Sequence, residues 1–297
     1  MEIDFKEKIT IVTVTFNSAG KIDDFSRTFS LFPNIVIVDN DSRDQTISAI
    51  SKKLPQARVL SLKNIGFGPA NNVGFEAAET EYVLFVNPDV KIDEKSVEEL
   101  YRTIILFSQA AIVGPQVVRP NGDKTYTFRW DFKRKYKSLR YPDVVGPVSC
   151  LHVSGCCFLV RCEMFQAMGK FDDAIFMYWE EDDIGMRARK AGFEIISIPN
   201  AVAVHEGDAS TPPSTALSIF KNYQSARSRI ILFRKHIGSS FAFKKVFQGL
   251  LVSPLALIFY LIFFSPQNIF KWLGKYFASI EYVTGSQRIG KILRRFI

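Results

Sequence analysis

Short apolar runs alternate with helix-length amphipathic stretches over the first ninety residues. Lys8 to Phe16 and Asn34 to Asp39 are β-branched runs that end in polar residues, and the stretch between them is long enough for a helix, which predicts a βαβ unit. A third run, Arg58 to Leu62, leads through the loop Lys63 to Pro69 into a predicted helix from Ala70 to Glu79. A buried strand, Tyr82 to Val86, follows and stops at Asn87-Pro88-Asp89. Strands alternating with helices predict an α/β, Rossmann-like fold with a mostly parallel sheet, and such sheets bind ligands beyond the carboxyl ends of their strands. Thr15-Phe16-Asn17, Asp39-Asn40-Asp41 and Asn87-Pro88-Asp89 all fall at such ends.

Further along, Ser96 to Phe107 reads as a helix, Ala111 to Val118 as a strand and Asn121-Gly122-Asp123 as a hairpin turn. Trp130 to Tyr141 mixes Lys and Arg with aromatics without a period and reads as a loop. From Tyr178 to Gly192, acids at the start, basic residues at the end and a glycine just beyond predict a helix whose charges complement its dipole. A strand from Glu194 to Ile198 follows.

The pattern changes at the C-terminus. Val246 to Phe270 carries no charge, and a membrane crossing takes about 20 such residues. Pro254 lies inside the run and both flanks are basic (Lys244, Lys245; Lys271, Lys275), which favours a kinked, interfacial or re-entrant anchor over a simple span. Arg288 to Ile297 alternates basic and apolar residues as a membrane-surface helix does. The expected organisation is therefore a catalytic region over 1–240 and a membrane-associating helical tail over 241–297.

Charge sharpens that division. Of the net charge of +8, the last 57 residues hold +7, with Glu281 as their one acid, so the first 240 residues are nearly neutral. A nucleic-acid-binding body would carry a basic face, and none is expected here. Cys150, Cys156, Cys157 and Cys162 match neither a zinc nor a redox spacing and are expected to be free, mostly buried thiols. The first eight residues mix charges with no apolar run, so no cleaved leader is expected and the body is placed in the cytoplasm.

Three sets of residues could carry chemistry. Asp89, held at a strand end and exposed by the Pro88 turn, suits a hard divalent cation such as Mg2+ or Mn2+. His205, just past an apolar run, could complete its shell through a neutral imidazole. Glu180, Glu181, Asp182 and Asp183 supply candidate bases in the first turn of a helix, and four acids there exceed what the helix dipole needs. The loop Asn64 to Gly74 departs from a dinucleotide fingerprint because Asn71 stands where the third glycine belongs.

Seven segments in order, IVTVTFNS, IVIVDNDSRDQT, NIGFGPANNVG, VLFVNPDV, VSGCCFLVRCEMFQAMGKFDD, FMYWEEDDIGMRARKAGF and AVAVHEGDAS, resemble glycosyltransferase family 2, the inverting enzymes of the GT-A fold, and within it the rhamnosyltransferase-like branch. The resemblance runs from about Ile9 to His236 and implies transfer from a nucleotide-diphosphate sugar, with a divalent cation as cofactor. It implies that Thr15 and Asp39 hold the nucleotide base and that Asn64, with Asn71 to Gly74, shapes its pocket. Asp89 becomes the metal aspartate, with Asn87 beside it and His205 as a second ligand. Glu181 aligns with the base, Asp182 remaining an alternative, Asp183 aligns with a second acid, and Gly155 falls near the acceptor side. Two departures stand out: Asn-Pro-Asp replaces Asp-x-Asp, and Glu occupies a base position where Asp is commoner. If the tail is an anchor, the expected acceptor is a lipid-linked glycan at the cytoplasmic face of a bacterial membrane. A scaffold that has lost turnover and a nucleotidyltransferase are the competing readings.

Overall fold

The structure is a computed structural model of the 297-residue chain that describes residues 4–125, 145–207 and 214–294 and the backbone of Phe128–Arg129. The loop expected over Trp130 to Tyr141 lies outside the described residues, as does the end of the basic tail from Arg295 onward. The chain divides into two units, Met1–Asp172 with Glu181–Ser210, and Asp173–Glu180 with Thr211–Ile297.

In the first unit the order is β1 (Ile9–Thr15), α1 (Ile22–Phe29), β2 (Ile35–Asn40), α2 (Thr46–Lys53), β3 (Arg58–Leu62), α3 (Phe67–Glu76), β4 (Tyr82–Val86), β5 (Val90–Ile92), α4 (Glu94–Leu106) and β6 (Ala110–Val118). Then come β7 (Phe128–Arg129), β8 (Val148–Cys150), β9 (His152–Val153), β10 (Cys157–Arg161), α5 (Cys162–Ala167), α6 (Glu180–Lys190) and β11 (Glu194–His205). The main sheet runs β3-β2-β1-β4-β10-β6-β11-β5, with β8 on β11. Its first four strands are parallel, as the sequence predicts, whereas β10 runs antiparallel to both β4 and β6, so the whole sheet is mixed. That reversal is invisible in the hydrophobic pattern because a buried strand has the same period in either direction.

Period-two alternation builds two cores. Ile9, Ile11, Ile35, Ile37, Leu84 and Val86 face α1, α2 and α4, while Val12, Val36, Val38, Val83 and Phe85 face α3, α5 and α6. Helix α4 starts where Asp93 accepts a 2.7 Å bond from the Ser96 N–H, a side-chain cap. Helix α3 lies tight on β1: a Cβ on Gly74 would sit 2.4 Å from Val12 Cγ1. The strand expected at Glu194 to Ile198 continues to His205, pairing with β6 through a register shift between Ile198 and Val202.

The second unit comprises α7 (Thr215–His236), α8 (Ser239–Ile262), α9 (Pro266–Thr284) and α10 (Arg288–Arg294), with the segment 173–180 against them. Phe176, Phe220, Tyr223, Ile230, Val246 and Ala278 form its core. Segment 173–180 is tied down by Arg227 Nη1 donating to Ala174 O (2.9 Å), Ser228 Oγ to Met177 O (2.8 Å) and Trp179 Nε1 to Ser225 Oγ (3.1 Å). Glu281 is buried, accepting from Tyr223 OH (2.5 Å) and from Arg227 Nε (3.2 Å), so the tail's one acid is structural. Burial and that carboxylate both raise the Tyr223 phenol.

Candidate active site

The strand ends of the first unit build the site, and each polar terminus is tied to its neighbour. Thr15 and Asp39 sit side by side at the ends of β1 and β2, both buried, with Thr15 Oγ1 donating to Asp39 Oδ1 at 3.0 Å. Asp39 Oδ2 accepts from the Ser42 N–H at 3.1 Å. Asn17 and Asp41 take left-handed backbone (φ 51° and 78°), which Asn and Asp tolerate, and so turn both loops sharply after the strands. The Asn17 N–H donates to Ser42 Oγ (2.9 Å), and the Arg43 N–H returns a bond to Asn17 Oδ1 (2.8 Å).

Asn40 carries out a task that the pattern did not single out. Its amide donates to Asn64 Oδ1 and to Gly66 O, each at 3.2 Å, and accepts from the Ile65 N–H at 3.0 Å. Asn64 Oδ1 also accepts from the Gly66 N–H at 3.2 Å. The entrance to α3 is therefore moulded by two asparagines, and Gly66 (φ 105°) meets a backbone demand that side chains resist. Asn71 is buried within α3 and donates to Phe67 O at 3.0 Å. Its neighbour Asn72 clamps the Phe171 backbone from both sides, donating to its carbonyl (2.9 Å) and accepting from its N–H (3.0 Å).

Asp89 follows β4 and meets His205, the last residue of β11, with Oδ2 3.3 Å from Nε2. The two residues are 116 apart in sequence and are joined because β5 pairs with the end of β11. The Asp89 carboxylate, with the Cys156 thiol also against the ring, pushes the imidazole pKa up to about 10. Without a cation, then, His205 is imidazolium at neutral pH, and a cation that it ligated would have to displace that proton. Next to it, Glu206 pairs with Lys21 (2.5 Å) and Lys91 (2.8 Å), which hold its carboxyl down at about 2.

The acidic run at the start of α6 disperses. Glu180, Asp182 and Asp183 are buried, whereas Glu181 is half-exposed. Asp183 Oδ2 accepts from Arg187 Nε (2.9 Å) and Nη2 (2.7 Å), one helical turn on. Asp182 lies 3.9 Å from His152 Nδ1. Glu181 Oε1 accepts from the Gly155 N–H at 3.0 Å, and a Cβ on Gly155 would lie only 2.3 Å from that oxygen. Glycine is thus what lets the carboxylate close on this backbone.

Gly155-Cys156 joins the two halves of the site. Gly155 holds Glu181, Cys156 lies against His205, and the Cys156 carbonyl accepts from the Asn87 N–H at 2.8 Å. Asp89, Asn87, His205 and Glu181 therefore surround one dipeptide at the entry to β10. Thr15, Asp39, Asn40 and Asn64 form a second cluster at the ends of β1, β2 and β3. The four cysteines are free, three of them buried. Among the described residues no three His, Cys, Asp or Glu side chains group as a metal cage. The donor set of Asp89 and His205 fits only a cation that draws further ligands from an oxygen-rich substrate and water, a habit of Mg2+ and its neighbours.

The chain is 27% identical to the N-acetylglucosaminyl-diphospho-decaprenol L-rhamnosyltransferase of Mycobacterium tuberculosis, over 77% of this chain and 85% of that protein. It is 25% identical to the low-salt glycan biosynthesis hexosyltransferase Agl10 of Haloferax volcanii, over 67% of each. A solved mannosyltransferase from Pyrobaculum calidifontis, in complex with GDP-Man and Mn2+, superposes with a TM-score of 0.56 at 15% identity, over 94% of this chain and 88% of that one. At such identity the likeness establishes the GT-A fold alone. Residues 10–169 match the description of glycosyl transferase family 2, more than half of the chain, and they carry β1 to β4, Asp89 and Gly155. The chain belongs to glycosyl transferase family 2 and is a rhamnosyltransferase-like glycosyltransferase of glycan synthesis.

Proposed function

We propose that this protein transfers a hexose, rhamnose in the first instance, from a nucleotide-diphosphate sugar to a hydroxyl of a lipid-linked glycan, with inversion at the anomeric carbon. The observation that carries the reading is the placement of Asp89 with His205 and of Glu181 on either side of Gly155-Cys156. Thr15 and Asp39 would receive the nucleotide base, a donor and an acceptor presented together at the strand ends. Asn64 would border the same pocket through the loop that Asn40 shapes, with Asn71 behind it in α3.

Glu181 would take the proton from the attacking hydroxyl as its oxygen bonds to the anomeric carbon and the bond to the diphosphate breaks. The Gly155 N–H aims that carboxylate, and Asp183, held by Arg187, would fix the first turn of α6. Asp89 and His205 would hold a divalent cation, Mg2+ or Mn2+, with Asn87 beside them. Such an ion neutralises charge that builds on a leaving diphosphate. The relatives' names give a lipid-linked acceptor and a sugar-nucleotide donor for those proteins, and the same classes are proposed here. So is a place at the cytoplasmic face of a membrane.

The test is nucleoside diphosphate release by the purified chain across a panel of nucleotide sugars, with and without a polyprenyl-diphosphate-linked sugar. Transfer should occur with at least one deoxyhexose or hexose donor, and Glu181→Gln should nearly abolish it while donor binding persists. Release of pyrophosphate instead, or wild-type turnover by Glu181→Gln, overturns the reading.

A further inference from the structure

The second unit leaves one feature that the reaction does not use, an apolar surface along α8. Ala242, Val246, Gly249 and Ser253 turn inward, and the opposite side presents Leu251, Leu255, Ile258, Phe259 and Ile262 to solvent, each more than half exposed. Phe264, in the turn that follows, is 90% exposed and takes left-handed backbone (φ 45°). Soluble surfaces rarely expose a contiguous patch of this kind without a use for it.

Helices α8 and α9 form an antiparallel hairpin. A Cβ on Gly249 would lie 2.1 Å from Ser279 Oγ, and these two residues stand equally far along the chain from Phe264. By length and composition alone α8 could cross a membrane. Its partner forbids that. At 1.5 Å per residue, Lys271 stands about 10 Å and Lys275 about 16 Å from the turn. A full crossing of about 30 Å would leave both ammonium groups inside the hydrocarbon, where a charged side chain is costly to hold. Inserted to about 10 Å, the same hairpin puts Lys271 and Trp272 at headgroup level and Lys275 beyond it. Lys275 Nζ lies 3.8 Å from the centre of the Trp272 ring, a pairing of cation and amphipathic aromatic that suits an interface.

Charge selects the lipid. From Ser239 to Ile280 the hairpin has four lysines and no acid. Basic residues are drawn to an anionic leaflet, whereas two such hairpins set face to face would oppose their own lysines.

We propose that the α8–α9 hairpin is a monotopic anchor that enters one leaflet of an anionic phospholipid bilayer, turn first, and returns to the same side. The proposal rests on the lipid-linked acceptor reading for its purpose only. It is tested without donor or acceptor, so either can fail while the other stands.

The full chain is mixed with sealed phosphatidylcholine vesicles with or without phosphatidylglycerol. A Phe264→Cys variant labelled with an environment-sensitive dye reports the turn, with labelled wild-type chain as background. Expected are binding that needs phosphatidylglycerol and weakens with salt, a blue-shifted dye, and stronger quenching by spin labels near the headgroups than at the bilayer centre. A Thr284→Cys variant should react with an impermeant maleimide added outside, as should Ser239→Cys. Ile258→Glu should lower binding about tenfold or more, the loss of roughly one buried aliphatic side chain, while circular dichroism stays unchanged. A turn that reacts with maleimide only from the vesicle interior makes α8 a span and overturns the proposal. So does the absence of binding to phosphatidylglycerol vesicles, or a turn shielded in solution by concentration-dependent self-association.

Discussion

Replacing Gly155 by alanine should injure the reaction while sparing the fold. The added Cβ would meet Glu181 Oε1 at 2.3 Å, Cδ at 2.8 Å and Cγ at 2.9 Å. Ordinary contacts between carbons lie at about 3.5–4.0 Å, so the carboxylate must retreat by roughly 1 Å. The atoms in the way belong to the end of a flexible side chain, and Gly155 is not among the glycines with positive φ, so the backbone accommodates alanine. Removing glycine's unfolded-state freedom favours the variant by about 0.4–1 kcal/mol, offsetting part of a lost hydrogen bond worth about 1.5–3 kcal/mol to a charged acceptor. The melting temperature should therefore fall by only a few degrees. A reacting group misplaced by about 1 Å costs about 100-fold, or roughly 2.7 kcal/mol of transition-state stabilisation. Steady-state kinetics should show kcat down by about two decades with the donor KM nearly unchanged. Wild-type kcat would refute the view that the Gly155 N–H aims the base. A fall in kcat matched by loss of folded protein would refute the claim that the lesion is local.

Gly185→Ala should behave in the opposite way: its Cβ would lie 1.9 Å from the Leu151 carbonyl oxygen, rigid backbone. Helix α6 must move, and a thermal melt should show about 1–3 kcal/mol of destabilisation, a melt equal to wild type being the contrary result. His205, with its pKa raised from 6.5 to about 10, adds stability that is complete below pH 6.5 and is lost as pH rises through about 10. A cation that takes the imidazole as ligand must displace that proton, so Mn2+ affinity should fall about tenfold per pH unit below 10, and calorimetry in two buffers should register one proton released. No proton release would remove His205 from the cation's ligands. Burial pushes the Cys150 and Cys162 thiols up to about 12 and Cys157 well above its usual value. These three should resist a thiol reagent at pH 8 until the protein is unfolded, and rapid native reaction of all four cysteines would contradict the packing.

The parallel half of the sheet was legible because β-branched runs with polar ends, such as ITIVTVT and IVIVDN, carry both the strand and its functional terminus. Strand β10 was not, since Cys157–Arg161 lies among cysteines whose spacing drew attention to metals and thiols rather than to a period. The pairing of β5 with β11, which delivers His205 to Asp89, depends on a three-residue strand too short for any periodicity. Asn40 offered one signal, its place between Asp39 and Asp41 at a strand end, but its reach to Asn64 and Gly66 is tertiary. In the tail, hydropathy suggested an anchor. Only the return of α9 along α8, shown by Gly249 against Ser279, brings Lys271 and Lys275 alongside the apolar run.

Four successive acids read in sequence as one charge cluster, in which carboxylates crowd each other until a cation or substrate relieves them. A helix undoes that crowding, because each residue turns about 100° from the last and neighbours in sequence face different surroundings. Asp183 turns toward Arg187, one turn on, and is fully buried with its charge matched. Asp182 turns toward His152, also buried. Glu181 alone of the four keeps solvent access, and its oxygen is oriented by a backbone N–H that loses no proton at working pH. A base must meet both requirements: reachable by an incoming hydroxyl, and aimed by a group that stays a donor while the carboxylate gains its proton. Asp182, the alternative that the sequence left open, is 2% exposed, which supports Glu181 as the proposed base. The longer glutamate is no handicap once Gly155 has removed the Cβ that its reach would otherwise strike.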